Sequence, residues 1–554
     1  MNTIDLADLI FPDVKETIED LEKRYPKRDL KEGAEVLRFA PSPTGFLHTG
    51  SLFTSLVGYK VAHQSGGIFY IRLEDTDTKR EIEGSGKELL DQLSLFDINP
   101  DEGYLGDKEI GNYGPYIQSH RADIYKVVIK ELIKKGRAYP CFCSKEELDA
   151  LRLTQEKNHV IPGYYRQYAR CRNLSIDEAY QRIQNGEPFV IRFKSNGYHE
   201  QKVEVDDLIR GHLILSENDQ DIVIYKSDGL PTYHFAHLVD DHFMRTTIVT
   251  RGEEWLASLP IHLELFKAMG WETPHYAHLP SIMKLDNGGR RKLSKRKDKE
   301  ASVSILLSEG YPKAAILEYL FTIANSNYEE WHAQNMDKSY DDFAFSFNKM
   351  SLDGALFDLS KLQNLSKEYI ARLTKEEVYE KTLEYAHRYD TKLESVLLNN
   401  PSYFKEIVNI EREKENPRKD YVKYSEIYPK NAFFYKDEYE QLLNNNPLPF
   451  NPNFPKDVIK DVLKEFKDTL NYDVDEQTWF NNLKELGKRH NFAENNKTYK
   501  ANKEQYIGHV GDVAEMIRIA LTTSRQSPNL YCVLKVLGRE EVCHRISRIL
   551  ELLA

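Results

Sequence analysis

The run Arg38-Phe39-Ala40-Pro41-Ser42-Pro43-Thr44-Gly45-Phe46-Leu47-His48-Thr49-Gly50 places an arginine, a Pro/Gly turn and a His-Thr-Gly-Ser helix start within a short stretch of chain. Residues of these types suit a nucleotide phosphate. The free N–H groups at a helix N-terminus favour anions, Gly50 lets a ligand approach the backbone, and His48 can donate a hydrogen bond to a phosphate oxygen as charge develops. On its own, His-x-Gly is no more than an ordinary helix start. A second candidate is Gly288 to Lys299, where seven of twelve residues are Lys or Arg, a local basic patch for RNA or a solvated loop. Cys141 and Cys143 form a closely spaced pair of thiols.

The elements that must position these residues read as α/β. Val36 to Ala40 is a strand candidate, Leu47 to Ala62 carries helical apolar spacing, and Gly66-Gly67 breaks the chain before a second strand, Ile68 to Leu73. This order predicts a right-handed βαβ unit with its ligand beyond the carboxyl ends of the strands. Residues 116 to 210 change character and read as an insertion. The α/β pattern resumes at Asp221 to Tyr225, with a strand at Thr246 to Thr250 and a helix from Glu254 to Met269. Residues 1 to 33 read as a helical extension. From about 371 the chain reads as helices, and Asn444 to Pro455 marks an internal boundary.

Length and composition fit this picture. A chain of 554 residues accommodates roughly three to five domains. Its 34 Tyr and 25 Phe are spread along the whole length, which excludes a disordered class. The net charge of −12 repels nucleic acid as a whole, so any RNA must be held by local basic patches. Five cysteines without regular spacing, no secretory signal and no apolar run of membrane length predict a cytoplasmic protein without disulfides or membrane contact.

Five segments, in order, resemble the successive signatures of bacterial-type glutamyl-tRNA synthetases: RFAPSPTGFLHTG, IRLEDTD (Ile71 to Asp77), SDGLPTYHFAHLVDDHFM (Ser227 to Met244), RGEEW (Arg251 to Trp255) and KLSKR (Lys292 to Arg296). The resemblance covers Val36 to Ile370 and reappears in IRIALTTSRQSPNLYCVLKVLG near the C-terminus. It implies a Rossmann-type catalytic domain interrupted by an acceptor-stem-binding insertion, followed by a mainly helical anticodon-binding region. The boundaries expected on this basis are an extension at 1–34, catalytic halves at 35–115 and 221–288, the insertion at 116–220, a loop and stem-contact region at 289–370, and the anticodon-binding region at 371–554.

The implied activity is ATP-dependent formation of glutamyl-adenylate and transfer of glutamate to tRNA(Glu), with ATP as substrate, Mg²⁺ as its counter-ion and a monomer as the working form. Glutamate carries two carboxylates and an ammonium. Arg38 and Arg251 offer forks for the carboxylates and Glu74 an acceptor for the ammonium, with Ala40, Ser42 and Tyr233 completing the pocket. His48, Gly50, Glu254, Lys292, Ser294, Lys295 and Arg296 fall on the ATP side, with His48, Lys292 and Lys295 as the catalytic group.

Several positions depart from the family pattern. Cys141-x-Cys143 followed by Cys171 resembles the Cys-x-Cys, Cys-x-His zinc site of some members, but Asn173 stands where the His would be and three thiols leave a four-ligand site open, so zinc is not expected, unless His159 or a tyrosine substitutes. His237 replaces an Asn or small apolar residue beside the glutamate, as a substrate contact or as packing. Asn364 and Ser366 replace a Trp-x-Asn tRNA contact, and residues 376 to 510 match least. A glutaminyl-tRNA synthetase would carry Pro-Glu-Pro-Asn where this chain has Pro41-Ser42-Pro43-Thr44. A tRNA-modifying paralogue would lack the 184 residues that follow Ile370, and a catalytically dead relative would not need both an ATP loop and an amino-acid pocket.

Overall fold

The structure, a computed structural model, describes residues 1–43, 47–77, 82, 84–294 and 297–554. It consists of two compact units: residues 1–305 with 317–358, and residues 306–316 with 359–554.

The first unit is built on an eight-stranded sheet. Strands β1 (Val36–Phe39), β2 (Ile68–Ile71), β3 (Glu102–Tyr104), β10 (Ile248–Gly252) and β11 (His275–Leu279) run parallel in the order β3-β2-β1-β10-β11. All four residues of β1 are buried, as a central strand covered on both faces requires. Helix α3 (Thr49–Ser65) makes the crossover from β1 to β2. It ends on Gly66 in the left-handed region (φ 72°), and a Cβ on the next residue, Gly67, would lie 1.9 Å from the Glu35 carbonyl oxygen. Only glycine turns the chain so tightly back into β2.

At one edge, the short β4 (Glu109–Ile110) pairs antiparallel with β3. The other edge departs from the expected boundaries. Strands β7 (Lys202–Asp207) and β8 (Gly211–Ser216) form a hairpin inside the stretch read as an insertion, yet β7 lies parallel to β11 through Asp207 and Tyr276 and so extends the catalytic sheet. Conversely, β9 (Val223–Tyr225), read as the return of the catalytic domain, pairs with β6 (Val190–Phe193), which pairs with β5 (Ala138–Cys141) in the insertion's own three-stranded sheet. Strand propensity does not say which edge a strand will join.

The extension is helical as expected: α1 (Thr3–Ile10) and α2 (Ile18–Arg24), each opened by a capping box. It is tied down on α5 (Ala122–Lys134), where Lys130 donates to the carbonyls of Phe11 (3.0 Å) and Val14 (2.8 Å). Arg28 forms a two-point pair with Glu102 at 2.8 and 3.0 Å, so the extension also braces the sheet edge.

The second unit is helical. One core gathers Ile370 to Ile427, and a larger one runs from Ile407 to Ile549. The boundary expected at Asn444 to Pro455 is instead a connection within the larger core. Leu448, Phe450 and Phe454 pack there between the helices Lys436–Asn445 and Lys456–Thr469. Asn/Pro punctuation marks a chain reversal, whether or not a core ends there. The fully buried Arg545 locks this core: it pairs with Glu541 at 2.8 Å and donates to the Phe433 and Leu521 carbonyls at 2.7 Å each.

Candidate active site

A cavity of about 680 Å³ opens beyond the carboxyl ends of β1 and β10, at the N-terminus of α3. Of the residues expected to hold glutamate, Arg38, Ala40, Ser42, Glu74, Tyr233 and Arg251 all line it. His48, Gly50, Glu254 and Lys292 line the same cavity. Ser294 does not; its backbone N–H is bound to Asp298 at 2.9 Å. Lys295 and Arg296 lie outside the described residues.

His48 is the N-cap of α3, and its Nδ1 accepts from the Gly50 N–H at 2.9 Å. In the neutral ring this puts the proton on Nε2, as a phosphate donor requires. The basic hairpin of β12 (Met283–Asp286) and β13 (Gly289–Lys292) follows the sheet, but part of its charge is already matched. Arg291 is held by Asp298 at 2.6 and 2.8 Å, while Lys292 meets Glu254 at 2.9 Å. Asp298, kept well below the usual carboxylate range by Arg291 first, is thereby the anchor of the loop, a role with no motif to mark it.

The two pocket arginines are held in opposite ways. Arg38 has its charge matched within the protein: its Nε and Nη2 donate to Asp241 at 3.0 and 3.3 Å, and its Nη1 to the Thr250 carbonyl at 3.2 Å. Asp241 also takes Arg72 at 2.8 Å and lies 2.5 Å from His237 Nδ1, with all three side chains fully buried or nearly so. Burial opposes its charge, but Arg38, Arg72 and His237 hold the carboxyl well below its ordinary value. Among the described residues Arg251 has no carboxylate partner. Its Nε donates to His278 at 2.9 Å, its Nη1 lies 3.0 Å from His262 Nδ1, and its buried Nη2 has no hydrogen-bond partner among the described residues. A buried guanidinium nitrogen left unsatisfied in a cavity wall is a ready site for an anionic ligand.

Glu74 gives one oxygen to Arg72 at 2.9 Å, and burial pushes its carboxyl up against the lowering effect of Arg72 and Arg38. His237 is not a wall residue of the cavity. It is fully buried, bound through Nε2 to Tyr276 at 2.9 Å, and burial pushes it down to about 4. Of its two readings, packing is the one realised. Sequence reasoning missed Arg72, Asp241, His262 and His278, although Arg72 and Asp241 lie inside quoted motifs, because nothing in spacing shows which side chains meet across a sheet.

In the insertion, the sulfurs of Cys141, Cys143 and Cys171 gather within 4.8 Å of one another. The Tyr164 hydroxyl joins them, 3.4 Å from Cys141 Sγ and 3.2 Å from Cys143 Sγ. The expectation of an open, three-ligand site is thereby altered: a fourth donor, a tyrosine, stands with the thiols, while Asn173 and His159 are not in the cluster.

Comparison with known proteins agrees with the geometry. The family model described as "tRNA synthetases class I (E and Q), catalytic domain" matches residues 35–364, and the anticodon binding domain model matches 377–550. A glutamate–tRNA ligase of Clostridium perfringens (strain SM101 / Type A) is 46% identical over 554 residues, covering 100% of both chains. The chain belongs to the glutamate–tRNA ligase family. Another member, from Clostridium beijerinckii, is also 46% identical, covering 99% of each chain. Among solved structures, a glutamate tRNA ligase from Elizabethkingia meningosepticum, crystallised in complex with its amino acid, superposes with a TM-score of 0.75 at 27% identity, covering 94% of this chain and 100% of that one. The Elizabethkingia anophelis glutamate–tRNA synthetase gives 0.74 at 28%, covering 93% and 99%. Membership accounts for the α/β catalytic unit joined to a helical one, and makes this chain an aminoacyl-tRNA synthetase. Among the described residues no helix is long and apolar enough to cross a membrane.

Proposed function

We propose that the chain activates L-glutamate with ATP and transfers it to the 3′-terminal adenosine of tRNA(Glu). The observation that carries this reading is one cavity lined by Arg251, which has no carboxylate partner among the described residues, and by the His48-capped helix N-terminus. In the first step a glutamate carboxylate oxygen attacks the α-phosphorus and pyrophosphate leaves. In the second, a ribose hydroxyl of the terminal adenosine attacks the acyl carbon and AMP leaves. The protein's task is positioning and charge stabilisation: Arg251 and Arg38 orient carboxylates, Glu74 receives the ammonium, and Ala40, Ser42 and Tyr233 shape the pocket. His48 with Lys292, Ser294, Lys295 and Arg296 serves the phosphates, with Gly50 and Glu254 on the ATP side.

Mg²⁺ enters with the nucleotide in this reading. Among the described residues the one cluster with metal-ligand spacing is made of thiols, which do not suit a hard cation, so phosphate oxygens and water would supply the ion's ligands. The decisive measurement is ATP–pyrophosphate exchange with glutamate and with glutamine, each with and without tRNA(Glu). Exchange confined to glutamate is expected; exchange with glutamine alone would overturn the assignment.

The Cys141-Cys143-Tyr164-Cys171 group supports a second proposal, a structural zinc ion that staples the insertion. Metal analysis of purified protein is expected to give about one zinc per chain, lost in a Cys143→Ser, Cys171→Ser variant. A zinc-free, fully active wild type leaves the thiols as packing.

A further inference from the structure

Arg251 is buried, 6% exposed, yet it is solvated by imidazoles and, among the described residues, not paired with a carboxylate. Such an arrangement constrains every proton around it. Asp207, at the end of β7, takes the Nδ1 proton of His278 at 2.6 Å, and its carboxylate also accepts the backbone N–H groups of Ile209 at 3.0 Å, Arg210 at 2.9 Å and His278 at 3.1 Å. Asp207 therefore cannot turn, and His278 cannot hold its proton on Nε2. That nitrogen is left as a bare acceptor, and Arg251 Nε–H fills it at 2.9 Å.

A matching chain lies on the other flank. His262 Nδ1 receives Arg251 Nη1 at 3.0 Å, and His262 Nε2 lies 3.0 Å from His234 Nδ1, so the His262 proton sits on Nε2 and points to His234. Burial holds His278 below the usual histidine range against the raising effect of its Asp207 hydrogen bond, with Arg251 adding to the lowering, while burial first and then Arg251 lower His234. For His262 burial acts first, then His237, then Arg251. Among the described residues no carboxylate touches the guanidinium: Asp207 reaches it only through His278, and the Tyr276 face 4.8 Å from it adds attraction without neutralising it.

We propose that Asp207 and His278 are positioning residues: by fixing an imidazole tautomer they hold the Arg251 guanidinium in the cavity wall, bound through Nε and with no carboxylate of the described residues directly on it, so that it can take a substrate carboxylate. This role rests on the glutamate-activating reading above. It also gives the β7–β8 hairpin a functional reason to join the catalytic sheet, since the Asp207–Tyr276 register is what sets Asp207 behind His278. Arg38, matched by Asp241, recognises shape and hydrogen bonding. Arg251, which meets Asp207 only through His278, supplies the charge that separates an anionic amino acid from its neutral amide.

Exchange kinetics on the full chain test the idea, varying glutamate at saturating ATP and then ATP at saturating glutamate. His278→Ala and Asp207→Asn are expected to raise the glutamate KM about tenfold or more, with the ATP KM held within about twofold. In Asp207→Asn the amide can present N–H groups to a ring that must itself donate, which drives the wrong tautomer. His278→Gln can donate to Asp207 and accept from Arg251, and is expected to recover most of the alanine variant's loss. A purely structural role would raise both KM values together and would not distinguish glutamine from alanine. A glutamate KM within about twofold of wild type in Asp207→Asn overturns the proposal, even if the alanine variant fails to fold; so does a His278→Gln no better than His278→Ala. Wild-type protein without glutamate-dependent exchange would sink the functional reading instead, so the two failures are distinguishable.

Discussion

Replacing Arg251 with methionine is expected to lower kcat/KM for glutamate in ATP–pyrophosphate exchange by about a hundredfold to a thousandfold, with the ATP KM little changed. The size follows from the site. Removing one partner of a buried, hydrogen-bonded charge pair costs about 2–5 kcal/mol, because the other charge is left desolvated and unpaired. Here the stranded group would be the substrate's own carboxylate, and the other arginine of the pocket, Arg38, is already bound to Asp241 through Nε and Nη2. Arg251→Lys is expected to recover little. A lysine ammonium cannot reproduce the fork that engages His278 and His262 while presenting a third nitrogen to the cavity. Glutamate kinetics close to wild type in Arg251→Met would remove this residue from substrate recognition, and with it the case for a charge-selective pocket.

Asp241→Asn is expected to destabilise the catalytic unit by about 3–5 kcal/mol, the cost of leaving buried cations without their counter-charge. Arg38 and Arg72 are 4% and 0% exposed, so neither can turn to water when the carboxylate goes. For a unit of this size the loss should appear as a drop on the order of 5–10 °C in the unfolding midpoint. The pH dependence has a definite sign. Because the folded-state carboxyl is held well below its ordinary value, its stabilisation is fully present above the unfolded value of about 4 and is lost only as pH falls through the lower folded value. Wild type and variant should therefore differ by a constant amount between about pH 5 and 8 and converge only in acid. An Asn variant that melts within about 1 °C of wild type would show that another group balances these arginines.

Much of the site was legible along the chain. Arg38, Glu74, Tyr233 and Arg251 are singled out by their alignment with the family's motifs, where their chemistry suits a doubly anionic amino acid, and all four line one cavity. Strand β1, helix α3 and strand β2 fall where apolar spacing and Gly66-Gly67 put them, because those signals act locally. The loop residues Lys295 and Arg296 lie outside the described residues, so their part rests on the motif alone. Legibility failed where the partner is remote. Asp207 and His278 are separated by 71 residues, and Cys143 and Tyr164 by 21, with no periodic signal between them.

The sequence by itself determined the residue types that a glutamate and a nucleotide require, the βαβ order that presents them, and the helical character of the C-terminal unit. These follow from side-chain chemistry and from interactions a few residues long. Only the tertiary structure decided which charges cancel. Asp241 pairs directly with Arg38, while among the described residues histidines stand between Arg251 and any carboxylate. Two arginines that look equivalent in a motif differ in function because, in a buried site, the effective charge of a group depends on what the fold packs against it.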